Sequence, residues 1–473
     1  MPVSITFAAK KKEISIITMN KIVFTLLFIV AMLINIHTAI AQVNTSDSTS
    51  TSIKKESRFR IGGYGEAVMT RNFYSQSFNR YKQPELYSND KSHGRFDLPH
   101  VCLNIGYDFG KGWTFGTEIE FEHGGNGTAV EIEAEEAGEY EAEVEKGGEV
   151  ALEQFWINKE LLGGKLNIKA GEIVVPIGYT NAHHEPNSFF TVYRPEGEAT
   201  IMPNTWHQVG LSVWGKLKDW RYEAQFLSGL NSESFTGENF VHYGATSPYE
   251  FKVANNYAGA LRIDNYSVKG LRIGVSGYYG YTFRNTLRTP GTKYDDVTGA
   301  LGIIAADFSL KRWNWIVRGN IDYAHLDDAD KISAYNQANW THHKYQDGNP
   351  HHYTNIGSNA IAYGIEAGYD IFSQISKMRR ENEKLYLFGR FEHYNAMASG
   401  THKSMYKHTK RYRCAFGLNY SPVKQIIIKG EYSYRYFEKP NNNGLASDSP
   451  LYTQPYNNEP SVSIGVTYCG WFL

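Results

Sequence analysis

Cysteine is scarce in this chain, and the few cysteines are far apart. The 473 residues include only Cys102, Cys414 and Cys469, and no CxxC pair occurs. Zinc modules and disulfide-rich scaffolds use closely spaced or evenly paired cysteines, so we infer neither. Proline is also sparse, at 15 residues, whereas there are 44 glycines and 34 tyrosines. Aromatic residues combined with glycine are typical of strands and tight turns rather than of a helical bundle.

An excess of charge of one sign is missing as well. The chain has 48 Lys and Arg residues against 49 Asp and Glu residues, which gives a formal net charge of −1. Nucleic-acid-binding proteins are normally basic, so this balance argues against a nucleic-acid partner. The GxSxG and HExxH motifs of hydrolases are absent too. We therefore expect neither an enzyme nor a bound cofactor.

The only long apolar run, IVFTLLFIVAMLI at residues 22–34, lies near the N-terminus. A lysine precedes it, and an Ala-Ile-Ala cleavage site follows it. This order predicts a secretory signal peptide over residues 1–41, with translation starting at Met1 or Met19. A buried or anchoring helix is the alternative, although the run is short for a membrane span. Residues 42–58 are polar and rich in Ser and Thr, and they predict a flexible periplasmic leader.

Two-residue alternation of apolar and polar side chains recurs through residues 59–473. Tight connections such as DFGKGW, KLKDWR and SLKRWN alternate with long polar stretches, which is the layout of an outer-membrane barrel. We count about sixteen strands, an even number that places both chain ends on the periplasmic side. The pattern predicts an all-β, transmembrane antiparallel barrel in the outer membrane of a Gram-negative bacterium. A secreted β-sandwich or β-helix is the alternative.

The segment at residues 271–284, LRIGVSGYYGYTFR, shows why the side chains alternate. A charge that faces lipid at the bilayer midplane costs about 2–4 kcal/mol, so charged residues must share the parity that faces the lumen. On this rule the positive pore-lining residues are Lys169, Arg221, Arg262, Arg272, Arg284, Arg318, Arg390, Arg413, Lys429 and Arg435. Carboxylates share the same parity, among them Glu118, Glu120, Asp264, Asp322, Glu366 and Glu431. Arginine-lined pores favour anions, and cross-strand ion pairing that only fills the interior is the alternative.

The loop at residues 176–205 is the most distinctive part of the sequence. It contains several prolines, two phenylalanines suited to burial, and the charged or titratable residues His183, His184, Glu185, Arg194, Glu196 and Glu198. A rigid, charged loop at this position predicts insertion into the lumen and a narrowed pore, with an ordinary external loop as the alternative. Adjacent histidines cannot easily share one ion and zinc-site spacing is absent, so no metal site is predicted.

Glutamate alternates with small or apolar residues at 129–149. This pattern predicts a β-ribbon that extends the third and fourth strands. If the ribbon joined the barrel, the strand count would become eighteen. A solvated external hairpin is the default for such a charge run, and binding of cations or of other subunits is the alternative.

Three segments carry a family resemblance: FDLPHVCLNIGYDFG at 96–110, EVALEQFWINKEL at 149–161, and the text from 173 to 215. With them, the chain resembles the phosphate-selective porin O and P family, particularly its Bacteroidetes-type branch. The resemblance covers most of residues 58–473. It implies a sixteen-stranded, usually trimeric, passive pore in which arginines and a lysine cluster draw phosphate inward. The arginines are present here, but the lysines on the wall are isolated and acidic residues intervene.

These observations together predict a porin for passive diffusion of small hydrophilic solutes, leaning toward anions or phosphate. Its expected partners are outer-membrane lipid, small ions or solutes, and two further copies in a homotrimer. A surface adhesin on a barrel scaffold is the alternative, because long aromatic loops are suited to binding. An energy-coupled transporter would need about 22 strands and a plug, and the leader is too short for a plug.

Overall fold

The computed structural model describes residues 58–74, 93–122, 130–133, 143–146, 149–247, 251–287, 289–340, 355–399, 407–438 and 458–473. Within these ranges the strands are β1 (Phe59–Asn72), β2 (His93–Asp97), β3 (Val101–Gly110), β4 (Trp113–Glu122), β5 (Val130–Glu133), β6 (Glu143–Lys146), β7 (Glu149–Leu161), β8 (Leu166–Val174), β9 (His207–Leu217), β10 (Trp220–Ser228), β11 (Tyr257–Asn265), β12 (Leu271–Tyr281), β13 (Ala300–Arg312), β14 (Trp315–Leu326), β15 (Asn359–Asp370), β16 (Lys384–Ser399), β17 (Lys410–Val423), β18 (Ile426–Phe437) and β19 (Asn458–Trp471).

The described α-helices are few and short. They are α1 (Glu196–Ile201), α2 (Ala329–Trp340) and α3 (Ser376–Glu381). Of the helices in the described ranges, none combines the length and the apolar character needed to cross a membrane. The predicted signal peptide (1–41) lies outside the described residues, as does the predicted leader (42–58) apart from Arg58.

Antiparallel pairing joins the wall strands in chain order and closes into a ring. β2 and β3 both pair with β1, so together they form one interrupted wall strand. β19 pairs with β1 along Gly62–Asn72, which joins the last strand to the first and leaves no open edge. Counting β2 and β3 as one and leaving out β5 and β6, the wall has sixteen strands. The predicted sixteen-stranded antiparallel barrel is confirmed.

The acidic ribbon does not enter this wall. β5 pairs with β6 in a separate two-stranded sheet, with Val130 opposite Lys146 and Glu133 opposite Glu143. The eighteen-strand alternative is therefore wrong. A hairpin that leaves the barrel between β4 and β7 needs no place in the ring, because its backbone groups pair with each other.

Outward and inward positions alternate along the strands as the lipid requires. In β12, Ile273, Val275 and Tyr279 are each about half exposed, whereas Arg272 and Ser276 are buried. Exposed tryptophans near the short turns include Trp113, Trp220, Trp313 and Trp315. An apolar band edged by aromatic residues is the outer surface of a membrane barrel, and such single-chain barrels belong to the Gram-negative outer membrane. The predicted localisation is confirmed.

The two ends of the barrel differ. Both chain ends of the barrel lie at the end with short turns, where the Phe472 amide donates to the Ile61 carbonyl at 2.8 Å. Short turns mark the periplasmic side. The main apolar core lies at the opposite end, where long loops pack on small inward residues such as Ala258, Ala324 and Ala360. The lumen charges therefore lie between an apolar core of loops at the outer end and the periplasmic opening.

Candidate functional site

The positive residues assigned to the wall lie on strands and point into the barrel, with one exception. The deeply buried members are Arg262, Arg272, Arg318, Arg390, Arg413 and Lys429. The partly exposed members are Lys169, Arg221 and Arg435, whose side chains are 18–27% exposed. Their sequence neighbours on the same strands face lipid, so these side chains occupy the barrel interior.

Arg284 is the exception, and its predicted place on the wall is wrong. β12 ends at Tyr281, and Arg284 lies in the following loop with a φ of 69°. Its side chain is 42% exposed and pairs with Asp295 at 2.9 Å. The alternation of the sequence continues past the strand, but Phe283 packs into the loop core, only 3% exposed, instead of facing lipid.

The buried arginines of β11 and β12 share two aspartates. Arg262 Nη2 lies 2.9 Å from Asp264 Oδ1 and 3.0 Å from Asp307 Oδ2. Arg272 contacts the same carboxylates, at 2.9 Å and 2.5 Å respectively. Two guanidinium groups and two carboxylates thus form a quartet of balanced charge, and Arg221 Nη1 lies 3.6 Å from the second oxygen of Asp264. Buried ions are tolerated when they are paired and hydrogen-bonded in this way.

A second network runs around the wall from β14 to β18. Arg318 and Arg390 both bind Glu366, at 2.6 and 3.2 Å. Two further links, from Arg390 to Glu392 at 3.0 Å and from Arg413 to Glu431 at 2.9 Å, extend it. Guanidinium and carboxylate groups alternate along this belt, so most of the arginine charge is neutralised locally. The wall therefore shows the ion pairing that the sequence left open as an alternative.

The constriction loop, residues 176–205, lies inside the barrel. The Gly178 carbonyl accepts a hydrogen bond from Arg262 Nη1 at 2.8 Å, and the Gly178 amide donates to Ser276 Oγ at 3.1 Å. Farther along, the amides of Phe190 and Val192 donate to inward glutamates of β15 and β18 at 3.3 and 2.7 Å. The loop therefore crosses the lumen from the β11–β12 wall to the β15–β18 wall.

Lys429 is the main clamp on the far side of the lumen. Its ammonium donates to the carbonyls of Pro186 at 2.7 Å, Phe189 at 3.2 Å and Thr191 at 2.9 Å. The same ammonium lies 4.3 Å from the centre of the Phe189 ring, within cation–π range. With all three donors used and the side chain 1% exposed, Lys429 holds the loop rather than facing a water-filled pore.

Glu196 anchors the first turn of α1 to the same wall. Its carboxylate accepts hydrogen bonds from Arg435 at 2.8 and 2.9 Å and from the Tyr394 hydroxyl at 2.6 Å. Arg413 Nε lies 3.4 Å away. Burial opposes ionisation of Glu196, but Arg435 and Arg413 outweigh it and hold the pKa of the carboxyl well below its usual range. The loop end is thus fixed by a charged contact that persists in mild acid.

Glu198 forms hydrogen bonds with other residues of the constriction loop. Its carboxylate accepts from the Tyr179 amide at 2.5 Å and from both the amide and the hydroxyl of Thr180. Burial raises the pKa of Glu198 despite these donors. The carboxylate fills the space beside Gly178, where φ is +75° and an added Cβ would lie 2.5 Å from Glu198 Oε1. Glycine is needed here for both conformation and space.

The remaining predicted loop residues do not form one cluster. The ring of His183 stacks on Tyr179 at 5.1 Å, and burial with the nearby Arg272 and Arg262 lowers its pKa to about 3. His184 instead faces the opposite wall. Glu185 braces its own turn, where the Ser188 amide donates to the Glu185 carbonyl at 2.8 Å and the Ser188 hydroxyl donates to Glu185 Oε2 at 3.5 Å.

Arg194 also serves the loop itself. Its Nη1 donates to Asn204 Oδ1 and to Thr205 Oγ1, both at 2.7 Å. This contact ties the middle of the constriction loop to its end. Like Glu185, Arg194 therefore stabilises the loop, and it makes no ion pair at 4.0 Å or less with any carboxylate of the described residues.

A cavity of about 480 Å³, here called the periplasmic vestibule, lies between the loop and β11–β14. Its lining is Tyr179, His183, Ser188, Tyr266, Val268, Gly270, Leu271, Arg272, Ser309, Lys311 and Arg318. The charged lining residues are Arg272, Lys311 and Arg318, and no carboxylate is among the described residues that line it. Sequence reasoning missed Lys311, although it has inward parity, because it lies beside the tight turn SLKRWN at the strand end.

Comparison with known proteins gives a consistent picture of the fold. No family model matches the chain. An uncharacterized protein of Aquifex aeolicus (strain VF5) is 27% identical over 387 residues, which are 79% of this chain and 74% of that protein. An anion-selective porin from Comamonas acidovorans has a TM-score of 0.50 at 11% identity, covering 87% of this chain and 99% of its own.

The outer membrane channel DcaP of Acinetobacter baumannii has a TM-score of 0.47 at 10% identity, covering 87% of this chain and 97% of its own. Identities this low speak to the fold alone. The predicted resemblance to the phosphate-selective O and P family therefore remains a prediction. The likeness to the Comamonas acidovorans protein is one of barrel fold, and the function of this chain has to be argued from its lumen.

Proposed function

We propose that this protein is a passive outer-membrane porin for small hydrophilic solutes, narrowed by its constriction loop and leaning toward anions. The observation that carries the proposal is the periplasmic vestibule, where Arg272, Lys311 and Arg318 line a space beside the loop without a carboxylate among its described lining residues. A water-filled passage conducts without covalent chemistry or an energy source, so a channel and not an enzyme is inferred.

The anion preference rests on how the vestibule charges are arranged. Arg272 and Arg318 are paired with Asp307 and Glu366, but only the two arginines line the vestibule, with side chains 8% and 5% exposed against 1% and 0% for the carboxylates. A mobile ion therefore meets guanidinium groups first. Lys311 is exposed and adds charge at the rim. Positive groups that face a passage raise the local concentration of anions there.

Reversal potential in a planar bilayer with a KCl gradient tests this proposal. The wild-type protein should conduct and show a modest preference for chloride over potassium. Lys311→Ala should shift the reversal potential toward cations, because it removes a rim charge without stripping a buried carboxylate of its partner. Arg318→Ala should shift it further, because Glu366 then loses a direct partner at 2.6 Å.

Lys424→Ala is the matched control. Lys424 is an exposed lysine in the short turn between β17 and β18, at the same end of the barrel but outside the vestibule lining. It should leave the reversal potential unchanged. Absence of conductance in the wild type would reject the channel and favour the adhesin alternative. Equal shifts for Lys311→Ala and Lys424→Ala would reject the role of the vestibule.

Two finer expectations belong to the same proposal. A preference for phosphate is not included, because the lysine cluster of the resembling family has no counterpart here. Added phosphate should therefore reduce chloride current no more than sulfate does at equal ionic strength. The resemblance also implies a homotrimer. Light scattering of the detergent-extracted protein should give three chains per particle, and a monomer would reject that part.

A further inference from the structure

A cluster of metal-ligating side chains lies on the inner wall opposite the arginine networks. It comprises Cys102 on β3, Glu118 and Glu120 on β4, Glu153 on β7, and His184 of the constriction loop, all of them 7% exposed or less. We call it the acidic cluster. Ligand atoms of Glu118, Glu153 and His184 all lie within 4.8 Å of one another, as do those of Cys102, Glu120 and Glu153. None of these residues lines the periplasmic vestibule on which the proposed function rests.

A β-bulge places Glu153 in the cluster. Glu118 pairs with Gln154 and Ile119 pairs with Leu152, so Glu153 is an extra residue on β7. Leu152 and Phe155 face lipid at 50% and 48% exposure, whereas Glu153 is 1% exposed. In a regular strand, consecutive side chains point to opposite faces, so Glu153 and Gln154 could not both face inward. Bulges re-aim side chains next to functional sites, and this one adds a carboxylate to a wall that is already acidic.

His184 is oriented as a metal-ligating histidine would be. Its Nδ1 lies 3.2 Å from the Asn181 carbonyl, and since a carbonyl only accepts, Nδ1 carries the proton. In the neutral ring Nε2 then presents a lone pair, and it points at Glu118 Oε1 across 3.7 Å. Metal-binding histidines characteristically donate their other N–H to a carbonyl or carboxylate in this way.

Neither Glu118 nor Glu153 forms an ion pair at 4.0 Å or less with a lysine or arginine of the described residues, whereas Glu120 is paired with His100 at 2.5 Å. Among the described residues, His184 is the only basic side chain within 4.0 Å of the Glu118 carboxylate. Glu118 Oε1 is buried and has no hydrogen-bond partner in the described structure, although Glu118 is only 4% exposed. The hydroxyl of Tyr64, whose ring lies 6.0 Å from that of His184, is also buried without a partner. Several buried carboxylates at close range require a cation or protons.

We propose that Glu118, Glu153 and His184 bind one divalent transition-metal ion of the zinc type, which fastens the constriction loop to β4 and β7. Donors around a tetrahedral zinc at about 2.0–2.1 Å are roughly 3.3–3.4 Å apart, so the 3.7 Å gap needs only a small contraction. One imidazole nitrogen among carboxylates favours zinc-type ions, because calcium and magnesium select all-oxygen sites.

The neighbouring residues complete the site. Glu120 already accepts a hydrogen bond from His100 Nδ1 at 2.5 Å, so it balances charge beside the ion. Cys102 Sγ lies 3.9 Å from Glu153 Oε2 and is within reach as a further ligand. The ion joins two strands to a loop that approaches from the lumen. The proposed zinc site therefore does not depend on whether the barrel conducts ions.

Zinc binding to the full-length protein in detergent tests the proposal. The protein is stripped with a chelator, dialysed, and titrated with Zn²⁺ by calorimetry. One tight equivalent should be present in the wild type and should weaken at least tenfold in Glu153→Gln and in His184→Gln. His183→Gln is the matched control, because that adjacent histidine stacks on Tyr179 away from the cluster, and it should bind as the wild type does.

A second readout separates this site from other zinc-binding groups. Histidine pairs at 342–343 and 351–352 can add weak equivalents, so the result is the difference between variants. Hydrogen exchange of loop amides 178–192 should slow on adding Zn²⁺ in the wild type and in His183→Gln, and not in Glu153→Gln. The proposal would be overturned if all four proteins bound zinc with equal affinity or if Ca²⁺ bound as tightly as Zn²⁺. It would also be overturned if adding zinc left the hydrogen exchange of the loop amides unchanged in the wild type.

Discussion

Lys429→Met tests whether the constriction loop is held by a single buried ammonium. Methionine keeps the length and bulk of the side chain but removes the donors to Pro186, Phe189 and Thr191. Hydrogen bonds made by a charged group are worth about 1.5–3 kcal/mol each, or roughly 5–9 kcal/mol for three. Burying the ammonium costs several kcal/mol, which offsets part of this stabilisation. We therefore expect a net loss of about 2–4 kcal/mol for the docked loop.

Amide hydrogen exchange measures this loss directly. The amides of Phe190 and Val192 are protected only while the loop is docked, because their acceptors are Glu366 and Glu431 on the wall. A loss of 2–4 kcal/mol makes local opening roughly 30 to 700 times more frequent, and protection should fall by that factor. Lys424→Met, in an exposed turn, is the control and should change nothing.

The same variant should also conduct differently if the loop narrows the lumen. Single-channel current should become larger or noisier in Lys429→Met, because the undocked loop no longer holds one position across the passage. Unchanged protection of Phe190 and Val192 would refute the clamp, whatever the current shows. Lost protection with unchanged current would keep the clamp and reject the narrowing.

Three further predictions follow from single contacts. The pKa of Glu196 is held well below its unfolded value of about 4.3. The stability that Glu196 contributes is therefore complete above that pH and is lost as the pH falls toward the depressed pKa. Protection of the loop amides against hydrogen exchange should weaken below about pH 4 in the wild type more than in Glu196→Gln. Gly178→Ala should lower the unfolding temperature of the barrel in detergent, because the positive φ alone costs about 1–2 kcal/mol and the new Cβ meets Glu198. Val275→Arg on the lipid face should impair membrane assembly by about 2–4 kcal/mol, whereas Ser309→Arg in the vestibule should assemble normally, as measured by folded yield in vesicles.

The resistance of the loop to displacement has a common source in these contacts. Lys429 on the wall binds the loop at Pro186–Thr191, and Glu196 of the loop binds Arg435 on the wall a few residues further on. Lys429 is 1% exposed and the Glu196 side chain is 23% exposed. A barrel wall supplies rigid anchor points because every strand is paired on both sides. Loop position, rather than wall shape, is therefore the variable that mutations should alter.

The sequence by itself determined the barrel and the direction of most side chains. Hydrocarbon around the wall forces charged residues to one parity, so Arg272 had to point inward and Ile273 outward whatever their neighbours were. The same rule does not say where a strand stops or slips. Arg284 follows the alternation but lies past the end of β12, and Glu153 reaches the interior only through a bulge.

Only the tertiary structure decided what the inward charges do. Arg318 meets Glu366 because two strands lie in one register, although 48 residues separate them in the chain. The proline-rich loop is equally compatible with an external position, and it enters the lumen because Lys429, 238 residues beyond Thr191, offers it donors there. Parity is a local property imposed by the solvent on each residue, whereas pairing depends on which distant groups the closed ring brings together.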